Sequence, residues 1–402
     1  MKKLTLLFCT LLTVSFSATA QLTPEITSWV VNTTSAVGYN NIPSDVQIVQ
    51  YSATQVYVSC TCIPGYSIGP WQNNPNTPSN QNFVYKITRM PTQNLSTAIA
   101  TPLGHTGVWS NGVSVFNAED GMSYNNAGVW NRNAYYYEGI SFDNCLGHPA
   151  PNGEYHNHVN PKCLYNDADS LNHSPIIGYA FDGFPIYGAY AYTNTNGTGP
   201  IKRMKSSYVL SSNTTRTNGP AVSATYPAGC FCEDYIYTAG SGDLDIHNGR
   251  FCVTPEYPNG TYAYFVTIDA QLNPVYPFVI GPTYYGTVQS GNTGPTGGHV
   301  TITETTTVYT PTGISEITNP TIKFQVMPNP VEDYAFIYMD PGSKNNLTGK
   351  LYNSRGQLLQ TIENMQPSIA YSLDMTSYPS GIYLFTLENG DSKVTQKIIK
   401  SR

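Results

Sequence analysis

Short runs of alternating apolar and polar residues, broken by glycine, proline and asparagine, restrict this chain to β-structure. VQIVQYSATQVYVSC at 46–60 and NFVYKITRM at 82–90 carry the period of two that half-buried strands need. Between them PGYSIGPWQNNPNTPSNQN is loop by composition. Residues 101–146, with turn chemistry in SNG and AEDG and a Tyr-rich run at 135–137, read as hairpins rather than helices. Charged residues make up 11% of the chain, against roughly 25% in an average soluble domain. The polar surface therefore falls to Asn, Thr, Ser and Tyr, as in extracellular, turn-rich β proteins. A length of 402 residues points to two or three domains. The net charge of −6 gives no basic footprint for nucleic acid and no attraction to anionic lipid.

Lys2 and Lys3, the apolar run Leu4 to Phe16 and the small residues Ala18-Thr19-Ala20 read as a secretory signal peptide over 1–20. No other segment is long and apolar enough to be a transmembrane helix. Loss of Cys9 with the signal leaves seven of the eight cysteines, at 60, 62, 145, 163, 230, 232 and 252. In an exported chain the default is disulfides. Spacing suggests Cys145 with Cys163, and Cys252 with Cys230 or Cys232. Seven is odd, so at least one thiol has no partner in the chain. The Cys-x-Cys pairs at 60–62 and 230–232 read equally as oxidised neighbours or soft metal ligands.

Four of the seven histidines fall within GHPAPNGEYHNHVNPKCL and HSPIIGYAFDGFPIYG, between Gly147 and Gly188. Pro149 and Pro151 with flanking glycines make a rigid turn. Glu154 to Val159 should then run extended until Pro161. Residues i and i+2 of a strand share a face, so His156 and His158 project side by side and can hold one cation. His148, His173 and the more distant His247 are the candidates to join them, with copper or zinc as the metal. The competing reading is structural hydrogen bonding, and His105 and His299 are given no other role.

Asp182, before Gly183 at the end of an apolar strand, reads as a turn residue or an acid beside the site. GDLDIHNGR gathers Asp243, Asp245, His247 and Arg250, and TPEYP adds Glu256. Asp182, Asp245, Arg250 and Glu256 are thus the catalytic candidates. G-x-S-x-G, H-E-x-x-H, P-loop and G-x-G-x-x-G signatures are absent from the sequence.

Tyr155-His156-Asn157-His158, the two long runs around it, and GDLDIHNGRFCVTPEYPNGTYAYFVT with YPFVIGPTYYG resemble the YHYH-domain family over about 100–290. Asn157 stands where that family usually has an aromatic residue or a histidine, a position facing away from the histidine pair. The resemblance implies no activity, because the family is essentially a domain of unknown function. VQSGNTGPTGGHVTITETTTVYTPTG reads as a Gly/Thr-rich linker over 287–319. After it, Pro328-Asn329-Pro330, Leu351-Tyr352-Asn353, Ser380-Gly381-Ile382-Tyr383 and Lys397-Ile398-Ile399-Lys400 resemble the C-terminal sorting domain of type IX (Por) secretion cargo from Bacteroidetes. That resemblance implies export by the type IX machinery, removal of the tail, and release or attachment to surface polysaccharide.

The expected fold is mainly β: a large irregular β-rich YHYH domain over 21–286, then a small Ig-like β-sandwich over 320–402. Two functions fit this reading. One is a secreted or cell-surface metalloprotein, with catalysis left open. The other is a non-catalytic binding or adhesion module whose Trp71, Trp109 and Trp130 build a platform for carbohydrate or peptide.

Overall fold

A computed structural model describes residues 22–294, 297–311, 324–339, 347–354, 356–366, 370–388 and 393–401. The signal-peptide expectation for 1–20 lies outside these residues. The chain is mainly β throughout, as its alternation requires, and divides into two units at Pro311/Thr312. Among the described residues no helix is long and apolar enough to cross a membrane.

In the first unit, strands Val46–Tyr51, Gln55–Cys60 and Phe83–Thr88 form an antiparallel meander. Its free edge is covered by Thr307–Val308, which pairs with Val46–Tyr51. Composition made 287–319 a linker, yet its described residues through 311 are packed in this unit. Asn292 bonds both backbone groups of Lys86 through its side chain. Tyr57 donates to Glu304 at 2.7 Å, and the Tyr309 amide donates to the Val49 carbonyl. A Gly/Thr-rich segment can be held this way because its own backbone donors and acceptors complete an exposed strand edge.

The second sheet carries the histidines. Its eight strands are β1 His105–Trp109, β2 Ser114–Phe116, β3 His148–Pro149, β4 Tyr155–Asn157, β5 Ile176–Ala180, β6 Pro185–Tyr187, β7 Gly249–Cys252 and β8 Thr261–Phe265. They lie in the order β7-β8-β6-β5-β1-β2-β4-β3. Most pairs are antiparallel, but β4 runs parallel to β2 and β8 parallel to β6. The middle strands are buried on both faces and read as near-continuous apolar runs, with Trp109, Tyr179, Tyr264 and Phe265 fully enclosed.

The expectation of hairpins over 101–146 fails at its end. Tyr135–Tyr137 lie in a short helix, Ala134–Glu138, started by Asn133, whose side chain accepts the Tyr135 amide at 3.0 Å. Asn133 is the cap residue that signals this helix. Five residues are too few to show a 3.6 period in the sequence.

The second unit is a two-sheet sandwich. A three-stranded sheet of Phe324–Met327, Tyr334–Met339 and Tyr371–Asp374 shares one core with a four-stranded sheet of Leu347–Asn353, Leu358–Met365, Gly381–Glu388 and Lys393–Lys400. Alternation puts Val326, Ile337, Leu351, Phe385 and Ile398 inside. The Asn329 side chain donates to the Lys397 carbonyl and accepts the Ile399 amide, so the Pro-Asn-Pro turn is tied to the basic last strand.

Candidate metal centre

The β3–β4 hairpin is made by its turn. Gly153 has φ +80°, and a Cβ there would fall 2.3 Å from Ser79 Oγ, so both conformation and space call for glycine. The Ala150 amide donates to the Glu154 carbonyl, and the Gly153 amide donates to the Ala150 carbonyl. This sets a register in which His148 lies directly opposite His156. Asp143 anchors the approach to β3. Its carboxylate accepts the amides of Cys145, Gly147 and Gly69 and the Tyr155 hydroxyl. A disulfide between Cys145 and Cys163, with Cα atoms 5.2 Å apart, brackets the whole hairpin.

The imidazoles of His148, His156 and His158 converge and are all buried. His148 Nε2 is 3.0 Å from His156 Nε2, which is 3.1 Å from His158 Nε2. Each Nδ1 is engaged elsewhere: His156 with the Glu154 carbonyl, His158 with the Asn117 carbonyl and His148 with Ser141 Oγ. Carbonyls only accept, so His156 and His158 carry their protons on Nδ1. Ser141 donates to the Glu138 carbonyl at 2.7 Å, so it accepts from His148 Nδ1. With Nδ1 engaged on each ring, the three imidazoles turn their Nε2 atoms toward one another. Burial, reinforced by the neighbouring His158, pushes the His148 imidazole down to about 4, and burial pushes His156 well below the usual range. Phe116 stacks on the His156 ring at 3.7 Å between centroids and fixes its plane. Asn157 points the other way and donates to the carbonyls of Leu146 and Cys145.

The cluster lies at the wall of a cavity of about 530 Å³, lined also by Phe116, Glu119, Asp120, Tyr137, Glu138 and Pro149. Glu138 Oε2 lies 3.2 Å from His158 Nε2 and 3.8 Å from His148 Nε2. It is shielded from solvent and has no donor aligned on it. Sequence reasoning passed over Glu138, which sits 10 residues before His148 at the end of the tyrosine-rich helix. Three nitrogens facing a cavity can hold a metal ion and present it to a bound molecule, with the Glu138 carboxylate beside them.

The other sequence candidates lie elsewhere, and none lines this cavity. His173 packs among Tyr187, Tyr192 and Phe265, and its Nδ1 meets the Ser174 carbonyl. His247 Nδ1 meets the Thr283 carbonyl, and its ring lies beside Tyr285. The expectation that these two rings join the cluster is therefore corrected: each is held by its own neighbourhood. Asp182 is buried and accepts the Tyr264 hydroxyl and the Gly286 and Phe184 amides, and burial raises it to about 6. Asp245 accepts the amides of His247 and Gly249 and the Tyr262 hydroxyl. Arg250 donates to the Tyr192 carbonyl, and Glu256 accepts from Tyr187. These four bind backbone and tyrosines, which are scaffold duties. His105, given no role, pairs with Glu154 at 3.0 Å in the core.

Cys230, Cys232 and Cys252 are free buried thiols, as are Cys60 and Cys62. The second expected disulfide is absent: Cys252 sits on β7 in the core with Leu244 and Phe265, while Cys232 opens a separate 3₁₀ turn, Cys232–Asp234, with Cys230 just before it. The aromatic platform loses one member, while Trp71 and Trp130 stay partly exposed. Trp109 is fully buried on β1. The Trp71 and Trp130 indole N–H groups are occupied by the carbonyls of Gly147 and Thr217.

An eight-stranded sheet with a three-histidine pocket, followed by a terminal sandwich, defines a two-unit β protein. Residues 84–276 match the family described as YHYH protein, and residues 325–401 match the secretion system C-terminal sorting domain, so the chain carries a YHYH domain and a sorting tail handled by the type IX system. Comparison with curated proteins gives no match. Among solved structures, dimeric latent PorU from Porphyromonas gingivalis is similar at 21% identity and a TM-score of 0.18, over 22% of this chain and 10% of that one.

Proposed function

We propose that this is an exported metalloprotein whose YHYH domain holds one divalent copper or zinc ion on His148, His156 and His158. The observation that carries this is the 3.0 Å approach of His148 Nε2 to His156 Nε2. Both protons are committed on the Nδ1 side, so the approach opposes two lone pairs. A proton on His158 facing Glu138 would relieve one contact and leave this one unrelieved. A metal ion accepts from all three nitrogens at once. Imidazole nitrogen suits copper and zinc, and copper outcompetes other divalent ions for such donors. Zinc would supply Lewis acidity and an activated water.

The protein supplies the rest. The Nδ1 partners Ser141, Glu154 and Asn117 orient the rings and keep Nε2 available, and Phe116 closes one side. The cavity leaves the remaining side open to a small molecule. The sorting tail supports a final location outside the cell or on its outer surface, which fractionation of the source cells would separate.

The test is elemental analysis of the purified protein beside His156→Ala and His158→Ala, with circular dichroism to verify folding. About one equivalent of copper or zinc in the wild type, lost in both folded variants, is the expected result. Wild-type protein that takes up neither metal on addition would end this reading.

A further inference from the structure

The four acceptors around the histidine cluster are not equally explained by three imidazoles. Ligands at about 2.0–2.1 Å in a tetrahedron lie roughly 3.3–3.4 Å from one another. Glu138 Oε2 lies 3.2 Å from His158 Nε2 and 3.8 Å from His148 Nε2, beside Nε2 spacings of 3.0 and 3.1 Å. The donors that all lie within 4.8 Å of one another are the three imidazoles, so the carboxylate has to move toward His156 to complete a tetrahedron. A carboxylate oxygen withdrawn from solvent and lacking a donor costs several kcal/mol unless something positive meets it. Burial alone would raise the Glu138 carboxyl, yet His158, His148 and Arg132 hold it below the usual carboxylate range, so the site favours the anion. Arg132 itself is paired with Asp120 at 2.9 Å, and a His158 ring whose proton is on Nδ1 turns only a lone pair to Oε2.

From this placement, and resting on the three-histidine reading above, we propose that Glu138 is the fourth protein ligand. The centre is then a three-histidine, one-carboxylate site that binds a divalent cation as a monocation overall. The local fold supports the assignment. The same residue contributes through its backbone, because the Glu138 carbonyl takes the Ser141 hydroxyl that in turn accepts from His148 Nδ1. One short helical end thus places the carboxylate and fixes the tautomer of a neighbouring ligand. A carboxylate in the fourth position also leaves the centre closed unless the ion expands its coordination or Glu138 swings away. Glu138 therefore controls whether a molecule in the cavity reaches the metal.

The experiment is cobalt(II) titration of the full chain and of Glu138→Gln, Glu138→Asp and His156→Ala, read by visible absorption and by competition for affinity. Loss of an outer partner alone can cost 10–100-fold in affinity, so the spectrum decides. The expected result is an intense four-coordinate cobalt spectrum in the wild type. It should change band position and intensity in folded Glu138→Gln, with at least about tenfold weaker binding, and be partly restored in Glu138→Asp. A Glu138→Gln spectrum identical to wild type, while His156→Ala abolishes binding, overturns the carboxylate assignment and leaves the histidine centre standing. No cobalt, zinc or copper binding by the wild type removes both.

Discussion

His148 and His156 face each other across the β3–β4 ladder with their Nε2 atoms 3.0 Å apart, each ring held from behind at Nδ1. The hairpin, the disulfide and Asp143 all converge on keeping that pair in place.

Metal binding should therefore stabilise the first unit. A ligand present at 100 times its dissociation constant adds about 2.7 kcal/mol. Added zinc or copper should raise the melting temperature of the wild type and leave folded His156→Ala unmoved. Equal shifts in both would place the ion elsewhere.

Acid should weaken the metal-free protein through the same histidines. Their native affinity for protons is depressed, so below the unfolded value near 6.5 the unfolded chain binds more protons and stability falls with pH. For His148 the loss runs from about 6.5 down to its folded value of about 4, and for His156 it continues lower. Asp182, raised to about 6, works the opposite way between its unfolded and folded values. The clean readout is a difference. The unfolding free energy from urea denaturation, wild type minus His148→Gln, should decline by about 1.4 kcal/mol per pH unit across this window. A flat difference would mean that His148 is not held neutral.

Breaking the disulfide should loosen the hairpin. Cys145 and Cys163 are 18 positions apart, a loop worth about 3 kcal/mol. Cys145→Ser combined with Cys163→Ser should unfold at correspondingly lower urea and bind metal more weakly. The five remaining described cysteines should react with a thiol reagent only after denaturation, since all are buried. Rapid labelling of native protein would contradict that burial.

Asp182→Ala should harm stability and spare the site. It strands the Tyr264 hydroxyl and the Gly286 amide in the core, at about 1–3 kcal/mol for each buried group left unsatisfied. Denaturation should show the loss while metal stoichiometry stays at the wild-type level. Loss of metal in a folded variant would return Asp182 to the centre.

Much of the arrangement was legible in the chain. Period-two alternation marks the strands, and a His-x-His on a strand shares a face by backbone geometry, so His156 and His158 could be paired from spacing alone. Turn residues between Pro149 and Gly153 indicated a rigid turn before an extended run; that the turn closes a hairpin setting His148 opposite His156 came from the structure. Tyr383 and the Pro-Asn-Pro turn likewise carry local signals that survive without a three-dimensional structure.

What local pattern cannot carry is the meeting of distant residues. His173 and His247 looked as promising as His148, but only the packing of β8 and the Thr283 segment decided that their rings turn to other partners. Glu138 was invisible because its role depends on a five-residue helix aiming one carboxylate at a hairpin formed later in the chain. The sequence by itself determined the β class, the export tail and the histidine pair, since these follow from short-range periodicity and local motifs. Tertiary structure alone decided the membership of the cluster, the fate of the thiols and the packing of residues 287–311, because each depends on long-range contacts that close-packed interiors select and spacing does not record.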